Sequence, residues 1–284
     1  MGMALCIYNE IRVRLGEVDH PTISITGEGE EFLPRGESNL VYRAYSRLLQ
    51  ETGLSLPAPI IDCRNEIPLE RGLGSSAAAI VAGLVAANHL TGSLLSLEEI
   101  LPLAVGLEGH PDNVSPALLG GIRIVAPGPS SLIIAPVPVP YNLRAVLFIP
   151  DVSISTVEAR AVLPRSVSME DAIFNVGRAA LLVNAFAAGR LKDLRAATED
   201  RLHQPHRSHL LPAMRLIIQE ALKGGALGAF VSGSGSTVLA LTRGREMSVA
   251  YEMAEMARKT RVSGRTIITF PSEKGAQVVE EHTP

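Results

Sequence analysis

Apolar residues along this chain fall into two rhythms. Ile11, Val13 and Leu15 alternate with Arg12 and Arg14, the period-two signature of a half-buried strand. Residues 22–26 repeat it, and the short apolar runs 59–63, 122–125, 132–134 and 145–149 are expected as further strands. Leu40, Val41, Ala44, Tyr45, Leu48 and Leu49 keep helical spacing, with Ser38 or Asn39 as cap and Gly53 as stop. Residues 73–90 are apolar nearly all round, which marks a helix as buried or membranous. Ser75 and Ser76 at its start, Asn88 and His89 at its end, and its many small residues predict a buried helix packed closely against a sheet. Farther on, Ser168 with Asp171 forms a capping-box pattern for a helix reaching about Ala188. Residues 210–222 and 247–259 are helical by period, and strands are expected at 229–231, 237–242 and 266–270. The proline-rich run 127–140 reads as loop and sheet edge, and no internal repeat is visible. The expected fold class is α+β, with a sheet-rich first half and a helix-plus-sheet second half.

Composition narrows the class. The chain has 284 residues, 46% hydrophobic and 19% charged, enough for one large or two modest domains. A formal net charge of −3 argues against nucleic acid or an anionic membrane as main partner. Two cysteines, Cys6 and Cys63, argue against a disulfide framework and make a reducing cytoplasm the expected compartment. The apolar run 4–8 is too short for a signal peptide and has no basic segment before it.

Three polar or glycine-rich segments interrupt the apolar pattern. "RGLGSSAAAI", residues 71–80, places two glycines and two serines before strong helix formers. It reads as a loop delivering a helix N-terminus, whose free N–H groups and partial positive charge suit a phosphate. Gly72, Gly74 and Ala77 also fit the dinucleotide pattern G-x-G-x-x-[GA], but residues 64–71 separate strand from loop, and Glu98 and Glu99 look like a helix start. No Gly-Lys-Ser/Thr ending of a Walker loop is present. "EGHPDN", residues 108–113, crowds two carboxylates, a histidine and an amide onto an expected loop, where such groups are more often functional than structural. "SGSGST", residues 232–237, is a second glycine-rich turn offering N–H groups and hydroxyls. Each alone also reads blandly, as a capped buried helix, a solvated cluster or a plain turn.

Together the three segments resemble the GHMP kinase superfamily. "PLERGLGSSAA" (68–78) is similar to its ATP-binding motif Pro-x-x-x-Gly-Leu-Gly-Ser-Ser-Ala-Ala, and "GAFVSGSGSTV" (228–238) to its C-terminal glycine motif, with Ser236 where proline is usual. "EGHPDNVSPALLGG" (108–121), "SISTVEARAVLP" (153–164) and "LHQPHR" (202–207) are similar to segments of the homoserine kinase family. The resemblance implies an N-terminal domain like the second domain of ribosomal protein S5, residues 1–140, and a ferredoxin-like C-terminal domain, residues 141–284.

It further implies transfer of phosphate from ATP to L-homoserine, a step toward threonine, by a cytoplasmic homodimer. Carried over position by position, Pro68, Leu69, Glu70, Arg71, Gly72, Leu73, Gly74, Ser75, Ser76, Ala77 and Ala78 bind ATP. Ser76 and Glu108 hold Mg2+, a cation suited by hard oxygen ligands. His110, Asp112, Arg160, Arg207 and Gly233 face the substrate, the two arginines taking its carboxylate. Asp112 and Asn113 sit at the reacting hydroxyl, with Asp112 orienting it. Another small alcohol such as L-threonine or a mevalonate-like acceptor, or a non-catalytic small-molecule-binding homologue, stays open as an alternative. The family's opening motif, Pro-Ala-Thr-Ser-Ala-Asn-Leu-Gly-x-Gly-Phe-Asp, has no counterpart here. On that ground the chain is expected to be an N-terminally shortened enzyme that binds ATP but turns homoserine over poorly.

Overall fold

The computed structural model describes residues 1–16, 20–129 and 131–279. Residue 130 of the proline-rich run lies outside the described residues. The chain forms two compact units, each discontinuous in sequence: residues 1–69, 74–136 and 272–284 make the first, residues 70–73 and 137–271 the second.

The first unit contains β1 (Gly2–Met3), β2 (Glu10–Leu15), β3 (Thr22–Gly27), α1 (Leu40–Thr52), β4 (Pro59–Asn65), α2 (Ser75–Leu90), α3 (Leu97–Glu108), α4 (Pro111–Leu119), β5 (Ile122–Pro127) and β6 (Leu132–Val137). β4 is central in a three-stranded sheet, antiparallel to β2 and parallel to β3; β1, β5 and β6 make a second small sheet in that order. The alternation seen in the sequence places Ile23, Ile25, Ile61 and Cys63 in one buried cluster with Val41 of α1. Asn39, not Ser38, caps α1: its Oδ1 accepts from Val41 N at 2.9 Å, and Gly53 ends the helix in the left-handed region.

α2 departs from expectation in two ways. Its N-cap is Gly74, with no side-chain cap, so neither serine serves as cap. Its main partners are helices α1, α3 and α4 rather than a sheet. Gly83 explains the close fit to α1, because a Cβ there would collide with the Val41 carbonyl and lie 2.8 Å from Ala44 Cβ. Ala77, Ile80, Val81, Leu84 and Ala87 of α2 then share a core with Ala44, Tyr45 and Leu48 of α1 and with residues of α3 and α4. Segment 108–113 is likewise less of a loop than expected. Glu108 ends α3, Gly109 supplies its left-handed stop, and Pro111 opens α4 directly after His110. Proline suits the first helical position because its missing N–H would have no partner there.

The second unit contains β7 (Arg144–Pro150), α5 (Thr156–Ala161), α6 (Met169–Ala187), α7 (Leu194–Ala197), α8 (Gln204–Arg207), α9 (Ala213–Lys223), β8 (Gly228–Val231), β9 (Val238–Thr242), α10 (Glu246–Lys259) and β10 (Gly264–Thr269). The sheet runs β10-β7-β9-β8, antiparallel throughout. Its core joins Val146 and Phe148 of β7 and Val238 and Ala240 of β9 with Met214, Ile217 and Ala221 of α9 and Val249 and Met253 of α10. Ser168 caps α6 as its pattern predicts, its Oγ accepting from Asp171 N at 3.0 Å. α9 starts at Ala213 rather than at residue 210, because residues 208–210 form a turn after α8 and Pro212 can only precede the first helical N–H bonds.

Candidate active site

The predicted residues gather into two clusters, one in each unit. In the first unit the N-terminus of α2 is uncapped by any side chain, and its first intrahelical bond runs from Ala78 N to Gly74 O at 3.0 Å. The N–H groups of Ser75, Ser76 and Ala77 therefore have no helical acceptor and point beyond the helix start. Ser76 is exposed, and its Oγ donates to Glu108 Oε1 at 2.7 Å. α3 brings that carboxylate to the start of α2 across 32 positions of sequence. His110 and Asp112 face each other, with Nδ1 and Oδ1 3.1 Å apart; Nδ1 is buried and makes no hydrogen bond of good geometry. Asn113, in the first turn of α4, lies beside Gly74, 3.8 Å from where a Cβ on that glycine would sit. Gly74 takes φ +75, a backbone state that other residues rarely adopt.

This cluster holds two carboxylates and no lysine or arginine. Among the described residues no group of three or more His, Cys, Asp or Glu side chains forms a metal cage. A hydroxyl and one carboxylate at 2.7 Å nonetheless fit Mg2+, which commonly takes one or two protein oxygens and completes its shell with water and phosphate.

In the second unit the two glycine-rich segments meet. Residues 70–73 belong to this unit. Ser232 Oγ donates to Gly72 O at 2.8 Å, Thr237 N to Arg71 O at 3.2 Å, and Ile154 N to Glu70 O at 3.2 Å. A Cβ on Gly72 would run into the Ser232 carbonyl and lie 2.9 Å from Gly235 N, so glycine is required by contact as well as by its φ of +70. The Arg71 guanidinium is anchored on the end of β7, donating to Pro150 O at 2.7 Å and to Asp151 O at 2.5 Å. Ser236, where the motif usually has proline, is fully buried and donates to Val152 O at 2.6 Å.

Arg207, at the end of α8, is half-buried. Its Nη1 donates to Gly233 O at 2.7 Å and its Nε to Ala159 O at 3.3 Å, next to Arg160. Burial lowers the Arg207 pKa, Asp200 opposes that shift, and the neighbouring Arg160 lowers it further. Arg160 is exposed, and neither arginine forms an ion pair with a carboxylate among the described residues. Two like charges are thus held within electrostatic reach of each other, an arrangement that favours an incoming carboxylate. Sequence reasoning missed Asp200 and Asn175. Asn175 donates to Asp200 at 2.7 Å across 25 positions, and no local motif marks such a pair.

Comparison with known proteins identifies the family of the chain. Residues 39–121 match the family model for the GHMP kinases N terminal domain, and residues 182–259 that for GHMP kinases C terminal. A homoserine kinase of Moorella thermoacetica is 41% identical over 280 residues, covering 98% of this chain and 94% of that protein. One from Trichormus variabilis is 45% identical over 241 residues, covering 85% and 80%. The crystal structure of homoserine kinase from Cytophaga hutchinsonii superimposes with a TM-score of 0.89 at 30% identity, covering 98% of this chain and 90% of that one. With the two-domain fold, the uncapped glycine loop and the paired arginines in place, the chain belongs to the GHMP kinase family and within it to the homoserine kinases.

Proposed function

We propose that this chain transfers the γ-phosphoryl group of ATP to the hydroxyl of L-homoserine, giving O-phospho-L-homoserine and ADP. The observation that carries the acceptor assignment is the Arg160–Arg207 pair, which forms no ion pair with a carboxylate among the described residues. The substrate carboxylate binds there. Arg207 is prepared for it, because Gly233 O and Ala159 O already fix the guanidinium plane.

Phosphoryl transfer through a loose transition state depends on positioning and charge neutralisation more than on strong base catalysis. The N–H groups of Ser75, Ser76 and Ala77 at the start of α2 bind phosphate oxygens. Gly72 and Gly74 let the backbone of residues 68–78 follow the phosphates closely. Ser76 and Glu108 would hold Mg2+, which supplies charge neutralisation at the phosphates. Asp112 and Asn113, in the first turn of α4, orient the acceptor hydroxyl, with His110 beside Asp112. The new P–O bond forms to that hydroxyl oxygen, the bond to ADP breaks, and the hydroxyl proton leaves.

The N-terminal region, residues 1–140, is assigned the nucleotide and the C-terminal region, residues 141–284, the acceptor carboxylate. A cytoplasmic homodimer is the proposed state. Neither Cys6 nor Cys63 forms a disulfide among the described residues, and no helix among them is long and apolar enough to cross a membrane. The test is a substrate panel with Mg-ATP, reading ADP release. L-Homoserine is expected to be preferred over L-threonine and mevalonate. ADP release at background with homoserine, but raised by another alcohol, overturns the acceptor assignment.

A further inference from the structure

Asp200 occupies a place that the reaction described above does not use. Its side chain is only 13% exposed. Oδ1 accepts from Asn175 Nδ2 at 2.7 Å and from Leu202 N at 2.9 Å; Oδ2 accepts from His203 N at 2.9 Å and from Gln204 N at 2.5 Å. Three successive backbone donors are thereby gathered on one carboxylate. His203 Nδ1 stands 3.5 Å from Oδ1. Burial alone would raise the Asp200 pKa, but the hydrogen bonds from His203, Gln204, Asn175 and Leu202 outweigh it and hold the group well below the usual carboxylate range. It is a fixed negative charge at neutral pH.

The turn built on that charge leads straight into α8. Arg207 N bonds back to His203 O at 3.0 Å, and Gln204 Oε1 accepts from Val231 N of β8 at 2.9 Å. The segment that carries Arg207 is therefore fastened to Asp200 at one end and to the sheet in its middle. Asp200 also acts on Arg207 through space, opposing the unfavourable effects of burial and of Arg160. It does so while its own oxygens are taken up by Asn175 and the backbone. A counter-charge placed this way holds two arginines near each other without occupying their N–H groups.

We propose that Asp200, held by Asn175, is a positioning residue for the acceptor carboxylate: it fixes the turn that carries Arg207 and supplies the counter-charge that lets Arg207 and Arg160 share one site. The inference rests on the acceptor assignment made above.

The test compares L-homoserine with 3-amino-1-propanol, the same amino alcohol without the carboxylate, at saturating Mg-ATP in the intact chain. Wild-type turnover of homoserine is measured first; its absence would sink the acceptor assignment and this inference together. With that turnover in hand, Asp200→Asn is expected to raise the KM for homoserine roughly 10- to 100-fold, the effect of losing one hydrogen bond to a charged group. The KM for ATP and the kcat/KM for 3-amino-1-propanol should stay within about threefold of wild type. The double variant Asp200→Asn with Arg207→Ala should be no worse on homoserine than Arg207→Ala alone, because both act on one subsite. Should Asp200→Asn fail to fold, Asn175→Ala, which leaves the charge in place, carries the test, with a KM shift of several-fold for homoserine only. Equal losses on both alcohols and on ATP would make Asp200 a structural residue and overturn the proposal while leaving the acceptor assignment intact. Unchanged homoserine KM in whichever variant folds would overturn it as well.

Discussion

Gly72→Ala separates a contact requirement from a backbone requirement. Gly72 has φ +70, and in that left-handed state a Cβ costs about 1–2 kcal/mol. The Cβ would also meet the Ser232 carbonyl, with Gly235 N at 2.9 Å and Gly235 O at 3.0 Å. All three atoms are backbone, so no rotamer change relieves the clash, and overpacking of this kind costs about 1–3 kcal/mol. Moving the loop away loses the hydrogen bond from Ser232 Oγ to Gly72 O, for about another 1 kcal/mol. The sum is about 3–6 kcal/mol, a large share of a typical domain's stability. Gly189→Ala is the control. It too has a positive φ, +66, in the same unit, but nothing lies within 4 Å of its Cβ position, so it should cost only the backbone share. Thermal unfolding should therefore show Gly72→Ala melting lower than Gly189→Ala by roughly 5–15 °C, at about 2–4 °C per kcal/mol. Titration with a fluorescent ATP analogue, below both melting points, should show weakened nucleotide binding for Gly72→Ala alone. If the two variants melt together and bind nucleotide alike, the packing of the two glycine segments on each other is not what requires glycine at 72.

Glu108→Gln keeps the size of the side chain and removes its charge, so turnover should fall by about 2–4 kcal/mol in the barrier and need more magnesium; an unchanged magnesium titration would move the cation elsewhere. Arg207→Ala should raise the homoserine KM roughly thirtyfold, about 2 kcal/mol and the low end for a buried charged partner because Arg207 is only half-buried, with the ATP KM little changed; equal effects on both would assign Arg207 to the fold. Asp200 titrates lower in the folded chain than in the unfolded one, so its contribution to stability is present above an unfolded pKa of about 3.9 and is lost as pH falls below it. Asp200→Asn should flatten the acid limb of a stability-against-pH curve, and an unaltered limb would refute that linkage.

What was legible in the sequence was whatever is written locally. Alternation placed β2 and β3, a short apolar run placed β4, and the cap residues Asn39 and Ser168 marked helix starts because a cap acts within three positions of itself. The nature of "EGHPDN" was legible as chemistry but not as shape. Its polar residues suggested a loop, whereas Gly109 and Pro111 compress the connection so far that Asp112 and Asn113 lie in a helix. Gly74 as the cap of α2 was hidden by the two serines after it. The lock between Gly72 and Ser232 spans 160 positions, and each glycine segment alone reads as a turn. Asp200 was hidden for a related reason. Its backbone acceptor role needs no periodicity, and its side-chain partner Asn175 lies 25 positions away on α6.

The charges are sorted between the clusters in a way that bears on the chemistry. The first unit's cluster has Glu108 and Asp112, with His110 beside the latter and no lysine or arginine among the side chains named above, so a polyphosphate approaching the N–H groups of α2 meets two carboxylates as well as the helix dipole. A divalent cation, if held by Ser76 and Glu108 as proposed, would reverse that balance, and this is the physical reason to expect ATP binding here to be magnesium-linked. Arg71, the one cation within the glycine motif, is anchored to Pro150 O and Asp151 O at the end of β7, so its side chain builds the loop. The second unit's cluster has the opposite balance, with Arg160 and Arg207 within electrostatic reach of each other and the acid that acts on Arg207, Asp200, occupied by Asn175 and three backbone N–H groups. A small acceptor with one carboxylate and a free hydroxyl is drawn to the arginines by the one end that carries the negative charge. An alcohol without that carboxylate would lack this attraction, so the arginine pair separates acceptors by charge before it separates them by apolar shape.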